Sequence, residues 1–308
     1  MIITPIIWIT EIQQNEIFMK RDDLLPFSFG GNKARKAANF FKKIDEGQFT
    51  SVVTYGSSSS NHCRVVSNLA AARNMPCYII SPEEASKPTY NSKMMELFGA
   101  KITTVPVNEV SNVIERELAE LKENGMNPYF IPGGGHGNLG TQAYVDCYDE
   151  ICTYELENDI YFDYIFFASG TGTTQAGLVC GQLMRGDERK IVGISIARKN
   201  PRGRQVVIDS INEYLTVKHC EIACDVIDTS TILVDDYTGD GYGKENDAIT
   251  NTINEMLKQH GIPMDSTYTA KAYTGMLKYI EKESLRGKKI LFIHTGGTPL
   301  FFDNLGKV

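Results

Sequence analysis

Tyr164-Ile-Phe-Phe-Ala168 runs straight into Ser169-Gly170-Thr171-Gly172-Thr173-Thr174, and Gln175-Ala176-Gly177 then opens a helical pattern that lasts to about Met184. A short β-branched and aromatic run, a glycine turn and a helix together make one βα unit. The glycines permit close backbone approach, and successive N–H groups with hydroxyls form a nest for a phosphate. A plain glycine-rich turn uses the same letters, but this order of elements is more specific than Gly-x-Gly alone. It makes a poor dinucleotide fingerprint. Gln175 stands at the third glycine position, and the next strand ends at Arg198 instead of an acidic ribose partner, although an arginine suits a 2′-phosphate. A Walker-type loop fails because no Gly-Lys-Ser/Thr follows.

The same unit recurs outward from this one. Ser51-Val-Val-Thr-Tyr leads through Gly56 and four serines into a helix from His62, and Cys77-Tyr-Ile-Ile leads to a helix over about 90–98. Lys101-Ile-Thr-Thr-Val precedes a helix over 110–123, and Tyr129-Phe-Ile precedes a loop over 133–140. Ile191-Val-Gly-Ile-Ser-Ile and Lys289-Ile-Leu-Phe-Ile-His are further strands. Strands alternating with helices predict an α/β fold with mainly parallel sheets, because parallel neighbours need crossover connections. In such sheets ligands gather at the carboxyl ends of strands. The acidic stretch over 155–163 reads as a solvated connection.

The chain has 308 residues, 42% of them hydrophobic, which suits about two domains. A net charge of −7 argues against nucleic acid as a partner, since phosphate-backbone affinity needs lysine and arginine. Seven scattered cysteines with no CxxC pair predict free thiols and no metal site, as in a reducing cytoplasm. The apolar start meets Pro5 and Glu11 before a span could form, so neither a signal peptide nor membrane association is expected.

Three other segments carry chemistry. Gly30-Gly31-Asn32-Lys33-Ala34-Arg35-Lys36 puts a lysine at a helix start, where positive backbone N–H groups depress its pKa toward a free amine able to form an imine. A surface helix start with solvated cations is the plainer account. Gly56-Ser57-Ser58-Ser59-Ser60-Asn61-His62 reads as a capped turn, or as a helix N-terminus that holds a carboxylate. His294-Thr295-Gly296-Gly297 leaves a strong strand, and Tyr242 and Tyr268 offer phenols that either pack with a bonded hydroxyl or act as acids. His136 reads as a loop histidine with a structural hydrogen bond, with contact to a substrate as the alternative.

Taken in order, Lys20-Arg21-Asp22-Asp23, Gly30-Gly31-Asn32-Lys33-x-Arg35-Lys36, Ser60-Asn61-His62-x-Arg64, Gly172-x-x-Gln175-Ala176-Gly177, Gly239-Asp240-Gly241-Tyr242-Gly243 and His294-x-Gly296-Gly297 resemble the 1-aminocyclopropane-1-carboxylate (ACC) deaminase / D-cysteine desulfhydrase family. The match covers nearly the whole chain. It implies a two-domain tryptophan-synthase-β-like (fold type II) α/β architecture with parallel or mixed sheets. Residues 36–145 would be a small inserted domain, residues 1–35 and 146–308 a large domain binding pyridoxal 5′-phosphate, and the assembly a homodimer. By resemblance Lys33 is the Schiff-base lysine, and Asn61 meets the cofactor's phenolic oxygen. Ser60, Asn61, His62 and Tyr268 face the substrate, with Ser60, Tyr242 and Tyr268 also catalytic. Ser169, Gly170, Thr171, Gly172, Thr173 and Thr174 cradle the phosphate, and Thr295 lies near the pyridine nitrogen.

ACC deaminases are similar to one another in carrying glutamate and leucine where this chain has Thr269 and Thr295. An acid near the ring nitrogen deepens the electron sink, while a threonine suffices when a good β-leaving group departs. The resemblance therefore points to α,β-elimination from a small amino acid, D-cysteine first, giving sulfide, pyruvate and ammonia. Ala270, the loop over 133–138 and Thr298-Pro299-Leu300-Phe301 depart from the family pattern, so ACC, L-cysteate or another β-substituted amino acid remain alternative substrates. Outside the family, an NADP-dependent oxidoreductase using Arg198 and a non-catalytic amino-acid sensor are the rival readings.

Overall fold

The computed structural model describes residues 3–237 and 246–305. It opens with a hairpin of β1 (Ile6–Ile12) and β2 (Asn15–Lys20), turned by Gln13 and Gln14 at φ 52° and 66°. After α1 (Asn32–Glu46) come β3 (Ser51–Tyr55), α2 (Asn61–Ala71), β4 (Cys77–Pro82), α3 (Tyr90–Leu97), β5 (Lys101–Val105), α4 (Val110–Glu123) and β6 (Pro128–Phe130). The chain continues through α5 (Asn138–Asn158), β7 (Tyr164–Ser169), α6 (Thr173–Arg185), β8 (Lys190–Ser195), α7 (Arg202–Val217), α8 (Cys224–Ser230) and β9 (Ile232–Val234). It closes with α9 (Asp247–His260), α10 (Thr269–Lys282), β10 (Lys289–Ile293) and α11 (Thr298–Asn304).

These strands form two sheets. One has four parallel strands in the order β5-β4-β3-β6, and the other six in the order β1-β2-β10-β7-β8-β9, parallel except for the β1–β2 pair. The mixed α/β architecture of the sequence reading is thus present. Helices cover both faces of the larger sheet, so its strands are buried on both sides and read as near-continuous apolar runs. Ile165, Phe167 and Ile191 pack with Tyr144, Leu178 and Val179 of α5 and α6. The alternate residues Phe166, Ala168, Val192 and Ile194 pack with Ile253 and Met276 of α9 and α10. In the smaller sheet Val52, Cys77 and Ile79 face Phe41 and Val66 of α1 and α2, while Val53 and Ile80 face α4.

The hairpin at 6–20 is not announced by a βα pattern, and it carries much of the packing. β2 inserts beside β10 and buries Ile17 and Met19. The acidic stretch over 155–163 corrects the reading as a solvated connection. α5 runs on through Asn158, and Glu155 is buried because both its oxygens accept from Arg189, at 2.8 and 2.9 Å.

A buried ionic network ties the hairpin, α1 and α5 together. Glu150 of α5 accepts from Lys20 at 2.8 Å and from Arg35 at 2.5 Å. Asp22 accepts from Arg35 at 2.7 Å, Thr4 at 2.8 Å and Tyr144 at 2.9 Å. Burial alone would push the Asp22 carboxyl up, but Arg35 and Lys20 outweigh it and bring it down from 3.8 to about 2. A depressed carboxylate contributes stability that is complete above its unfolded-state value and lost as pH falls through the folded one. We therefore expect urea unfolding of the wild type to weaken between pH about 4 and about 2 more steeply than that of Asp22→Asn. At neutral pH Asp22→Asn should lose about 3–5 kcal/mol, the cost of breaking a buried pair on one side; a loss below about 1 kcal/mol would show that the network is not paired in solution.

Candidate active site

The carboxyl ends of both sheets open on one cavity of about 320 Å³. The β3 exit supplies Tyr55 to Ser57 and Ser60 to His62, the β7 exit Ser169 to Gly172, the β8 exit Ile196 to Arg198, and the β10 exit Thr295 to Gly297. Asn32 and Lys33 enter from α1, Gly133 and Gly134 from the turn after β6, and Tyr268 from the start of α10. The α1 and β10 loops touch through backbone. Asn32 N donates to Thr295 O at 2.9 Å, and a Cβ on Gly31 would stand 2.6 Å from that same oxygen. Gly31 and Gly296 also take φ values of 90° and 100°, so both the contact and the conformation require glycine.

Lys33 projects into this cavity from the first turn of α1, and among the described residues its Nζ has a single hydrogen bond, to the Gly134 carbonyl at 3.3 Å. With no carboxylate beside it, burial lowers the amine from 10.5 to about 8. Among the described residues no aspartate or glutamate lines the cavity, whereas Lys33 and Arg198 do. That electrostatic balance suits an anionic occupant.

At the α2 start Ser60 is the N-cap, with Oγ accepting from Cys63 N at 3.1 Å. Arg64 N is the first amide to reach back into the helix, to Ser60 O, which leaves the N–H groups of Asn61 and His62 for an anion. His62 is buried and neutral: burial, then Lys33 and Lys36, push it down to about 3. Thr54 Oγ1 donates to Ile131 O at 2.7 Å, so it accepts from His62 Nε2 at 2.9 Å, and Nδ1 is left bare. An imidazolium grip on a carboxylate is therefore excluded at His62; what that position offers is its backbone N–H.

The glycine turn forms the opposite wall. Ala176 N is bonded to Gly172 O, so the amides of Thr173, Thr174 and Gln175 ahead of it have no helical acceptor. Ser169 lines the cavity, but its hydroxyl turns inward to Gln175 Oε1 at 2.9 Å, leaving only its backbone to the site. Gln175 in turn donates to Ile232 O at 2.7 Å and fills the space beside Gly193, which explains why no glycine stands at that point of the turn. Thr173 is not at the cavity surface, since its Oγ1 is buried and unpaired. Asn32 Nδ2 reaches Thr174 Oγ1 at 3.2 Å, joining the lysine helix to this wall.

Tyr268 is held by Asp265, which accepts its N–H at 2.8 Å and those of Thr267 and Thr269 at 3.0 and 3.1 Å. Lys33, Ser60, Asn61, His62, Ser169, Gly170, Thr171, Gly172, Thr174, Tyr268 and Thr295 thus meet around one space, and Tyr242 lies outside the described residues. His136 lies off the cavity with Nε2 3.5 Å from Ser210 Oγ.

Sequence reasoning missed Tyr55, which packs on Gly133, and Lys36. Lys36 is fully buried with no hydrogen-bond partner among the described residues, and burial and then Lys33 hold its pKa well below the usual value. It follows Lys33 by three positions on the same helix, so i,i+3 spacing was the available signal.

A family model described as pyridoxal-phosphate dependent enzyme matches residues 2–296. The chain is 31% identical over 301 residues to a D-cysteine desulfhydrase of Serratia proteamaculans, covering 93% of this chain and 88% of that one. It is also 31% identical over 295 residues to a D-cysteine desulfhydrase of Yersinia enterocolitica, with the same coverage. Among solved structures it is similar to an ACC deaminase homologue, with a TM-score of 0.87 and 28% identity over 99% of this chain and 92% of that one.

The state of the cavity amine can be read directly. In the cofactor-free protein, Lys33 should be trapped by a small aldehyde and cyanoborohydride with a pH midpoint near 8, not 10.5, measured as modified peptide by mass spectrometry. A midpoint above 10 would mean that the amine is solvated.

Proposed function

This chain belongs to the pyridoxal-phosphate-dependent enzyme family, and from that premise we propose that it eliminates the β-substituent of a small amino acid, D-cysteine first. Sulfide, pyruvate and ammonia are the products, with one water consumed. The observation that carries this reading is the Lys33 amine, buried without a counter-charge in a cavity that has helix N-termini on two walls.

The residues present fit the cofactor. Two buried donors have no hydrogen-bond partner among the described residues, Lys36 Nζ, whose stem packs on Gly135, and Thr173 Oγ1 in the first turn of α6, whose amides are also free; a bound anion would supply an acceptor there. Lys36 and the backbone of residues 169–174 would hold the phosphate, Asn61 the phenolic oxygen, Thr295 the ring nitrogen, and Lys33 the aldehyde carbon. When bound, the group supplies an electron sink for negative charge at the substrate Cα.

The rest of the work falls to the chain. The α2 N-terminus and Ser60 bind the substrate carboxylate through the amides of Asn61 and His62, which also orients Cα toward Lys33. With its pKa brought to about 8, Lys33 has a usable fraction of free amine near neutrality and takes the Cα proton. Tyr268, kept in place by Asp265, or Tyr242 delivers a proton to the departing sulfur.

Two features favour a sulfur leaving group over ring opening of ACC. Thr295 at the ring-nitrogen position carries no ionisable acid, and Thr269 uses its hydroxyl on Asp265 at 2.8 Å. A second reading, elimination of sulfite from cysteate, is favoured by Arg198 on the cavity wall, whose guanidinium matches an acidic substituent. We further propose that residues 36–145 act as a small domain against a large domain of residues 1–35 and 146–308. Two such chains would form a homodimer in the cytoplasm. The seven cysteines are free, as thiols in a reducing compartment are, and among the described residues no helix is long and apolar enough to cross a membrane.

Incubation with both enantiomers of cysteine, serine and cysteate, and with ACC, tests the substrate. Sulfide and pyruvate from D-cysteine are expected in equal amounts, while ammonia from ACC without sulfide from D-cysteine would reverse the order. Lys33→Ala should abolish turnover and the visible absorbance together, and Tyr268→Phe should lower kcat by about a hundredfold with the cofactor still bound.

A further inference from the structure

Arg64 is a cation buried to 1% of its surface, yet none of its partners is a carboxylate. Its guanidinium donates to Asn61 Oδ1 at 2.7 Å and Asn91 Oδ1 at 2.9 Å, to the Ser28 carbonyl at 2.8 Å and to Ser28 Oγ at 3.3 Å. The Phe29 ring lies 5.8 Å away. Removing a charge from water against neutral oxygens alone is costly, and the surroundings lower Arg64 to about 10 through burial. A chain that only needed to fill this space would place a neutral side chain there.

The network has one consistent orientation. A guanidinium only donates, so the Asn61 atom facing it is Oδ1 and the Asn91 atom facing it is also Oδ1. Asn91 Nδ2 then donates to the Ser59 carbonyl at 2.8 Å and to Asn61 Oδ1 at 3.0 Å. Asn61 Oδ1 thus takes two hydrogen bonds from behind, one of them charge-assisted, and the Nδ2 of this cavity-lining residue has no protein acceptor among the described residues. The same guanidinium holds Ser28, where the backbone runs through φ 46°, 56°, 59° and 90° at residues 28–31 just before Lys33.

We propose that Arg64 is a positioning residue that locks the Asn61 amide with its NH2 toward the cavity and polarises it, so that Asn61 favours the ionised form of the cofactor's phenolic oxygen. This rests on the reading that Asn61 meets that oxygen. A donor made more acidic by a cation on its own carbonyl stabilises an anion better than an ordinary amide does. The Asn91 contact, being neutral, contributes the smaller part.

The experiment uses the chain loaded with pyridoxal phosphate. Absorption of the bound cofactor divides between a visible band, with the phenolic oxygen ionised, and a near-ultraviolet band, with it protonated. Borohydride reduction followed by mass spectrometry of the Lys33 peptide gives occupancy independently of activity. Arg64→Met should keep the cofactor on Lys33 but lower the visible to near-ultraviolet ratio roughly threefold or more, and Arg64→Lys should recover part of it. Asn61→Ala should shift the ratio the same way, and adding Arg64→Met to it should change nothing further, since the arginine acts through the amide.

A fully occupied Arg64→Met with the wild-type ratio, or an equal further shift in the Asn61→Ala background, would overturn the proposal. Should Arg64→Met fail to fold, Asn91→Leu replaces it, with a smaller loss in the same direction expected and an unchanged ratio counting against the idea. A wild type with no visible band at all would refute the cofactor reading itself, a different failure from either of these.

Discussion

The position of the Lys33 amine depends on one interaction, the clasp of Arg35 between Asp22 and Glu150. Arg35 lies two residues after Lys33 on α1, Asp22 lies just beyond β2, and Glu150 lies on α5, so three separate stretches are locked where the lysine helix begins. Taking several charges out of water is favourable only when each finds a partner with good geometry. Here Lys20, Thr4 and Tyr144 complete the set. The clasp also holds the positive-φ run at residues 28–31 against the β10 exit loop, where Asn32 N meets Thr295 O. A helix anchored at Arg35 fixes the direction of Lys33 two residues earlier, before any contact of the lysine itself.

The cations around the site differ in how they are neutralised, and the differences follow their uses. Arg35 has two carboxylates and is fixed in its charged state. Arg64 has only neutral oxygens, so its field is spent on orienting amides. Among the described residues Lys36 Nζ has no hydrogen-bond partner and Lys33 Nζ has one carbonyl, so neither amine has a carboxylate to fix its charge. Among the described residues no acid stands on the cavity wall, where Lys33 and Arg198 are the charged side chains, so an anion there meets no carboxylate.

Much of the fold was legible in the sequence because βα units advertise themselves locally. The runs at 51–55, 101–105 and 164–168 and the helix over 110–123 fall on observed elements, since β-branched strands and glycine or serine turns are properties of neighbouring residues. The β1–β2 hairpin was not legible, because its residues alternate imperfectly and β2 is stabilised by a partner strand at the far end of the chain. Glu155 misled for a similar reason: a carboxylate in an acidic stretch looks solvated until Arg189 is placed beside it.

The candidate site divides along the same line. The sequence by itself determined that glycine and serine turns lead into helices at 31–33, 56–61 and 169–174, because capping and positive φ are settled within a few residues. Only the tertiary structure decided what those turns are worth. Lys33 meets Gly134 from 101 positions away, Ser169 spends its hydroxyl on Gln175, and His62 is held neutral by its burial first and by Lys33 and Lys36 after that. A protonation state is a property of the space around a group, and that space is assembled from parts of the chain that share no local signal.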